Sequence, residues 1–219
     1  MSHELRTPVT VSEGAISNAL FLLNKTSSKT EIEKALELAH KEILNLSDLI
    51  NDLSSLSRAE RGKIVDKLSN VNIAQLFREL DAEFKDQALE KHLKLSFKLD
   101  PHIELINTSK LYVREILENL ISNSLKYTVS GFVKIEAKSN SRELIISVSD
   151  SGIGISHIDQ TKVFGKFYRS EDYRTAETKG TGLGLYVSNK LAKLLGAKIL
   201  LESELNKGST FSLVLPRNT

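Results

Sequence analysis

Along the first part of the chain, apolar side chains return every three or four positions. Leu5, Val9, Ser12, Ile16, Ala19 and Leu23 trace one stripe; Ile32, Leu36, Ala39, Ile43, Leu46, Ile50 and Leu53 trace a second. The period is about 3.5 residues, that of a coiled-coil seam, so both segments are expected to be helices. The link Asn24–Thr30 is polar and short, which predicts an antiparallel hairpin. Thr30 followed by Glu33 has the form of a capping box for the second helix. Leu20, Leu22, Ala35, Leu49 and Leu56 widen the apolar stripe beyond what two helices cover. A second copy of the hairpin would cover the remainder as a four-helix bundle, making a homodimer. Packing of the hairpin against its own second domain is the alternative.

After Gly62, a plausible helix stop, the period changes. Ile73 to Leu89 reads as a helix and Lys94 to Leu99 alternates as a strand. Lys110 to Tyr127 is helical again. Phe132 to Lys138 and Leu144 to Ser149 predict a hairpin around Ser139-Asn140-Ser141. Leu183 to Leu195 predicts a helix stopped by Gly196. Lys198 to Ser203 and Thr210 to Leu215 predict a second hairpin around Asn206-Lys207-Gly208. The chain is therefore expected to be α+β: a helical hairpin at 1–61, a linker at 62–69, and an α/β sandwich at 70–219 with one mixed sheet and helices on one face.

Composition narrows the chemistry. Of 219 residues, 30 are basic and 28 acidic, a net charge of +2 with no basic run, so no nucleic-acid partner is expected. The chain has no cysteine, which excludes disulfides, thiolate catalysis and cysteine-held zinc. No apolar run approaches the ~20 residues of a membrane-spanning helix and no signal peptide is visible, so no membrane contact is expected. A cytoplasmic location fits. The chain opens inside a helical pattern without a cap, as a piece of a longer protein would, and a membrane anchor could lie in its upstream part.

The opening Met1-Ser2-His3-Glu4-Leu5-Arg6-Thr7-Pro8 places an imidazole beside a carboxylate. His3 and Thr7, four residues apart, share a helix face; Leu5 points the other way, so His3 is expected at the surface. Glu4 could take the Nδ1 proton and leave Nε2 a free lone pair for phosphoryl transfer. Thr7 could orient a water for the reverse, hydrolytic attack. Pro8 lacks the N–H that Glu4 would receive, and a local bend is expected. Most surface histidines are idle, so His3 carries weight only with the rest of the chain.

Glu115, Asn119 and Asn123 recur every four residues on the predicted helix 110–127, opposite Val113, Ile116, Leu117, Leu120 and Ile121. An ordinary amphipathic helix explains the stripe, but asparagine is a poor helix former. The amide oxygens of Asn119 and Asn123 suit a hard cation such as Mg²⁺. Lys126 and Tyr127 continue the polar face toward phosphate. Asp150-Ser151-Gly152-Ile153-Gly154-Ile155 follows a strand; a buried Asp150 would accept from the adenine amine and reject guanine. Gly180-Thr181-Gly182-Leu183-Gly184-Leu185 opens a helix, where freed N–H groups can bind phosphate. It is neither a P-loop nor a dinucleotide fingerprint. Between them stand Phe164-Gly165-Lys166-Phe167-Tyr168-Arg169 and a polar stretch, Ser170 to Lys179. Phe167 could dock a loop, Arg169 could neutralise the γ-phosphate, and the polar stretch could act as a lid.

Together these segments resemble the catalytic core of a sensor histidine kinase of two-component signalling, with a GHKL-type ATP-binding second half. Residues 2–8 resemble the H box, 115–127 the N box, 150–155 and 180–185 the two glycine boxes, and 164–169 the F box. The resemblance implies ATP and Mg²⁺ as cofactors, with Asn119 holding Mg²⁺ and Glu115 nearby, and phosphorylation of His3 with Glu4 as base. It also implies transfer to an aspartate on a response regulator receiver domain, and dephosphorylation of that regulator supported by Thr7 and Glu4. Asn119, Asn123, Lys126, Tyr127, Asp150, Gly152, Gly154, Ile155, Phe167, Arg169, Gly180, Thr181, Gly182, Leu183 and Gly184 would surround the nucleotide. The competing readings are a silent, ATP-gated interaction module and a GHKL ATPase or serine kinase without a histidine intermediate.

Overall fold

The computed structural model describes residues 2–23, 25, 29–60, 68–103, 105–170, 172 and 180–217, with side chains described from Leu5 onward. Most of the expected turn at 24–30, the Gly62 stop, most of the linker and most of the polar stretch after Ser170 lie outside the described residues. Two compact units emerge. One is Met1–Ser55 with Lys179–Thr181; the other is Leu56–Thr178 with Gly182–Thr219.

The first unit is built on helices α1 (Ser2–Leu23) and α2 (Lys29–Glu60). Helix α1 continues through Pro8, whose side chain is buried. Helix α2 starts at Lys29, so Thr30 is already inside it and the expected capping box is displaced. A Lys29–Glu33 ion pair at 3.6 Å spans that first turn instead. The Ser12 hydroxyl donates to the Ala39 carbonyl at 3.4 Å and ties the helices together. The buried positions of this unit are Pro8, Ser12, Ala15, Ala19, Ala35 and Ala39, with Leu49 and Ser55 farther along α2. Small side chains let helix axes approach closely. Of the larger members of the expected stripes, Leu5, Ile32, Leu46 and Leu53 are half-buried and the others are exposed. Val9, Ile16, Leu36, Ile43 and Ile50 are 41–52% exposed, and Leu23 is 62% exposed.

The second unit contains β1 (Ser69–Asn72), α3 (Ile73–Glu90), β2 (Lys94–Leu99), β3 (Leu105–Thr108), α4 (Lys110–Tyr127), β4 (Phe132–Ser139), β5 (Glu143–Asp150), α5 (His157–Gln160), α6 (Gly184–Leu194), β6 (Lys198–Glu204) and β7 (Gly208–Pro216). The main sheet runs β2-β4-β5-β7-β6. Its β2–β4 pair is parallel and the others antiparallel, as a mixed sheet requires. In β4 and β5, Val133, Ile135, Ala137, Leu144, Ile146 and Val148 are buried while their neighbours are more exposed, so one face carries the core. Helix α4 contributes Ile116, Leu117, Leu120 and Ile121 to that core, all with no exposed surface.

Caps fix the helices that carry function. Asn72 accepts the Gln75 N–H at 2.9 Å to start α3, and Ser109 accepts the Tyr112 N–H at 3.3 Å to start α4. Lys91 donates to the Leu125 carbonyl at 2.8 Å, satisfying the end of α4. The expectation of a single sheet is corrected: β1 and β3 pair as a separate antiparallel ribbon, Ser69 opposite Thr108. Four-residue strands are too short to show a period, which is why Ser69 read as linker. No helix among the described residues is long and apolar enough to cross a membrane.

Candidate functional site

Asp150 ends β5 with only 9% of its surface exposed. Its Oδ1 accepts the Gly152 N–H at 2.9 Å and the Ser209 N–H at 3.2 Å; its Oδ2 accepts the Ser124 hydroxyl at 3.1 Å. Burial raises the carboxyl above its ordinary range, opposed by those three donors. The result is a fixed acceptor with three of its about four lone-pair positions filled.

The surrounding glycines leave no room for a side chain. A Cβ on Gly152 would stand 2.5 Å from the Tyr127 carbonyl oxygen; one on Gly154, at φ +65°, would stand 2.0 Å from that of Glu204. The Ile153 N–H donates to the Tyr127 carbonyl at 3.2 Å, and the Asn206 N–H donates to the Ile153 carbonyl at 2.7 Å. Ile155 donates its N–H to the Ser203 hydroxyl at 2.8 Å. The first glycine motif is thereby stitched to the end of α4 and to the β6–β7 hairpin.

On α4, the Asn123 amide donates to the Asn119 Oδ1 at 2.7 Å. Asn119 also lies against the start of α6, where a Cβ on Gly184 would be 2.3 Å from its Nδ2. The Asn119 oxygen thus carries one hydrogen bond from within the pair. Glu115 is engaged too: Arg58 binds both its carboxylate oxygens, at 3.1 and 3.2 Å. Arg58 sits on the last turn of α2, which from Leu56 belongs to this same unit. Lys126 stands 5.1 Å from the Tyr127 ring centre. Burial raises the Tyr127 phenol, and the Arg169 charge opposes it, so Arg169 acts on this end of α4.

The F-box segment docks through Phe164, edge-on to Phe211 of β7 at 6.4 Å. Phe167 adopts φ +62°, and Gly182, at φ +68°, packs against it so closely that a Cβ would fall 2.7 Å from the Phe167 carbonyl carbon. Leu183 is fully buried ahead of α6, with no side-chain cap on that helix start. Gly180 and Thr181 group with the helical unit, where the Thr181 hydroxyl donates to Asp52. The structure thus gathers Asn119, Asn123, Tyr127, Asp150, Gly152, Gly154, Ile155, Phe167, Gly182, Leu183 and Gly184 within one unit. His3 and Glu4 lie on α1 with side chains outside the described residues; Thr7 is on the exposed face of that helix.

Two contributors escaped the sequence reading: Ser124 and Ser209. Ser124 was legible as a lone polar side chain inside the apolar stripe Leu120-Ile121-Leu125. Ser209 acts through its backbone, which leaves no trace in residue type.

A deeply held carboxylate, glycines that admit no Cβ and an asparagine pair on the facing helix define a nucleotide-binding lobe; the helical unit beside it in sequence carries a histidine on its first turn. The comparisons agree. Residues 108–219 match the family described as "Histidine kinase-, DNA gyrase B-, and HSP90-like ATPase", and residues 1–62 match the "His Kinase A (phospho-acceptor) domain". The chain belongs to the histidine kinase family. It is 34% identical over 220 residues to the aerobic respiration control sensor protein ArcB of Escherichia coli K12, covering 98% of this chain but 28% of ArcB. The solved structure of full-length ShkA in complex with AMPPNP is 26% identical, with a TM-score of 0.74 over 100% of this chain and 45% of that one. Histidine kinase ThkA, solved in complex with response regulator protein TrrA, shares the fold at a TM-score of 0.78 and 21% identity, over 99% of this chain and 60% of that one.

Proposed function

We propose that this chain catalyses ATP-dependent phosphorylation of His3 and passes the phosphoryl group to an aspartate of a response regulator receiver domain. The observation that carries the reading is the Asp150 cradle, a buried acceptor with three protein donors and one face left for a ligand donor. Adenine supplies a donor through its exocyclic amine, whereas guanine offers a carbonyl at that position. Tyr127, Gly152, Gly154 and Ile155 line the adenine end. Lys126, Arg169 and the segment Gly180–Gly184 serve the phosphates.

Mg²⁺, when bound, neutralises phosphate charge; Asn123 and Asn119 are the residues that would hold it, and the Arg58 pair draws Glu115 away from that role. In the chemical step Glu4 takes the Nδ1 proton and the Nε2 lone pair attacks the γ-phosphorus. The bond from that phosphorus to the bridging oxygen breaks and ADP leaves. Phosphohistidine then donates to the regulator aspartate. Thr7 and Glu4 support hydrolysis of the regulator's acyl phosphate. The exposed Val9, Ile16, Leu36, Ile43 and Ile50 give the hairpin an apolar flank for a second copy, completing a four-helix bundle.

The test is incubation with γ-labelled ATP and Mg²⁺. Acid-labile, alkali-stable label that disappears in His3→Gln is expected. Label that persists in His3→Gln would exclude His3 and favour a serine kinase; no label with tight nucleotide binding would favour the silent module.

A further inference from the structure

The F-box segment contains a clasp that the kinase chemistry above does not use. Asp159, on the short helix α5, receives two hydroxyls: Tyr168 donates to its Oδ1 at 2.7 Å and Ser170 to its Oδ2 at 2.7 Å. These two donors flank Arg169 in sequence, one on each side. They hold the Asp159 carboxyl below the usual carboxylate range, Tyr168 most of all.

The base of the clasp is itself anchored. The Ser156 hydroxyl accepts the Asp159 N–H at 3.1 Å and starts α5. The Gln160 amide donates to the Ile155 carbonyl at 2.9 Å and to the Ser203 carbonyl of β6 at 2.8 Å. From there the main chain turns tightly: Lys162 and Val163 donate to the Asp159 carbonyl at 2.8 and 2.9 Å, and Gly165 to that of Lys162 at 2.7 Å. At its far end Phe167 sits at φ +62°. That backbone region is unfavourable for a phenylalanine and persists only where neighbours over-determine it. A decorative surface carboxylate would not engage both oxygens with residues nine and eleven positions away.

We propose that Asp159 is a positioning residue that sets the main chain carrying Arg169, and through it the response of the site to a γ-phosphate. The proposal rests on the reading of Arg169 as a γ-phosphate contact. Asp159 touches no nucleotide; it acts through the Tyr168 and Ser170 hydroxyls.

The test uses the full chain and compares affinities for AMPPNP and ADP, both with Mg²⁺, by calorimetric titration. Tyr168→Phe keeps the ring and removes only the clasping hydroxyl. Tyr168→Phe is expected to weaken AMPPNP about tenfold, the loss of one charge-assisted hydrogen bond, and Asp159→Ala, which removes both, at least as much, with ADP within twofold in each. The double variant should be no worse than Asp159→Ala alone, because both remove one clasp. Arg169→Ala should show the same γ-selective loss. If Arg169→Ala is selective while the two clasp variants are not, the clasp is overturned and the site reading stands. Equal loss for both ligands in the clasp variants marks a structural role and overturns the proposal. If Arg169→Ala leaves both affinities unchanged, Arg169's assignment fails, and the clasp with it.

Discussion

Replacing Asp150 with asparagine isolates one atom of the proposed adenine contact. The Asn Oδ1 can still accept the Gly152 and Ser209 N–H groups, at 2.9 and 3.2 Å in the native protein. The Ser124 hydroxyl, now facing an NH₂, rotates to accept instead of donate. The fold therefore loses little, and removing a buried charge whose pKa is raised by desolvation relieves a cost. The ligand fares differently. Its exocyclic amine meets a donor where it met a carboxylate, losing a hydrogen bond to a charged group and gaining a donor–donor clash. Together these are worth about 3 kcal/mol, or about two orders of magnitude in Kd. The assay is calorimetric titration of wild type and Asp150→Asn with AMPPNP, alongside thermal unfolding without ligand. The reasoning fails if affinity changes by less than threefold in a folded variant. It fails equally if the loss of binding merely tracks unfolding.

Further outcomes follow from the same geometry. Adenosine, free of phosphate ionisation, should bind less tightly as pH falls through the raised Asp150 pKa, beginning above the ~3.9 of an ordinary aspartate; a flat profile down to that value would contradict it. The stability slope runs the other way. Between the two pKa values the native state keeps a proton that the unfolded chain has released, so the wild-type stability relative to Asp150→Asn should fall as pH rises across that window, measured by urea unfolding. Gly154→Ala forces a Cβ to within 2.0 Å of the Glu204 oxygen at a positive φ, and should lower the unfolding free energy by at least about 2 kcal/mol; an unchanged urea midpoint would show that the hairpin yields. Asn123→Ala should raise the Mg²⁺ concentration needed for half-maximal nucleotide binding about tenfold, and no shift would remove Asn123 from the cation site.

Where a signal was long and periodic, the chain by itself determined the element. Helix α4 and strand β2 have the limits their patterns predicted, because eighteen and six residues suffice to display a period. Gly196, at φ +66°, ends α6 as its position after the apolar run implied. Motif chemistry was legible on the same terms: Asp150 with Gly152 and Gly154 marked a carboxylate beside a close backbone approach.

Only the tertiary structure decided the rest. The ribbon of β1 and β3 is written in four-residue pieces thirty-odd positions apart, and its pairing depends on packing rather than on local pattern. In the hairpin, the 3.5-residue stripe fixed which residues are apolar but not which of them meet. Packing buried Ser12, Ala19 and Ala39 along with Leu49 and left Val9, Ile16 and Ile43 exposed, a choice that the stripe alone does not show. Within the site, spacing put Glu115, Asn119 and Asn123 on one face, yet the Arg58 pair and the Asn119–Asn123 bond settled which oxygens are engaged. Hydrogen-bond partners far apart in sequence are chosen by the fold in three dimensions, and residue order carries no record of that choice.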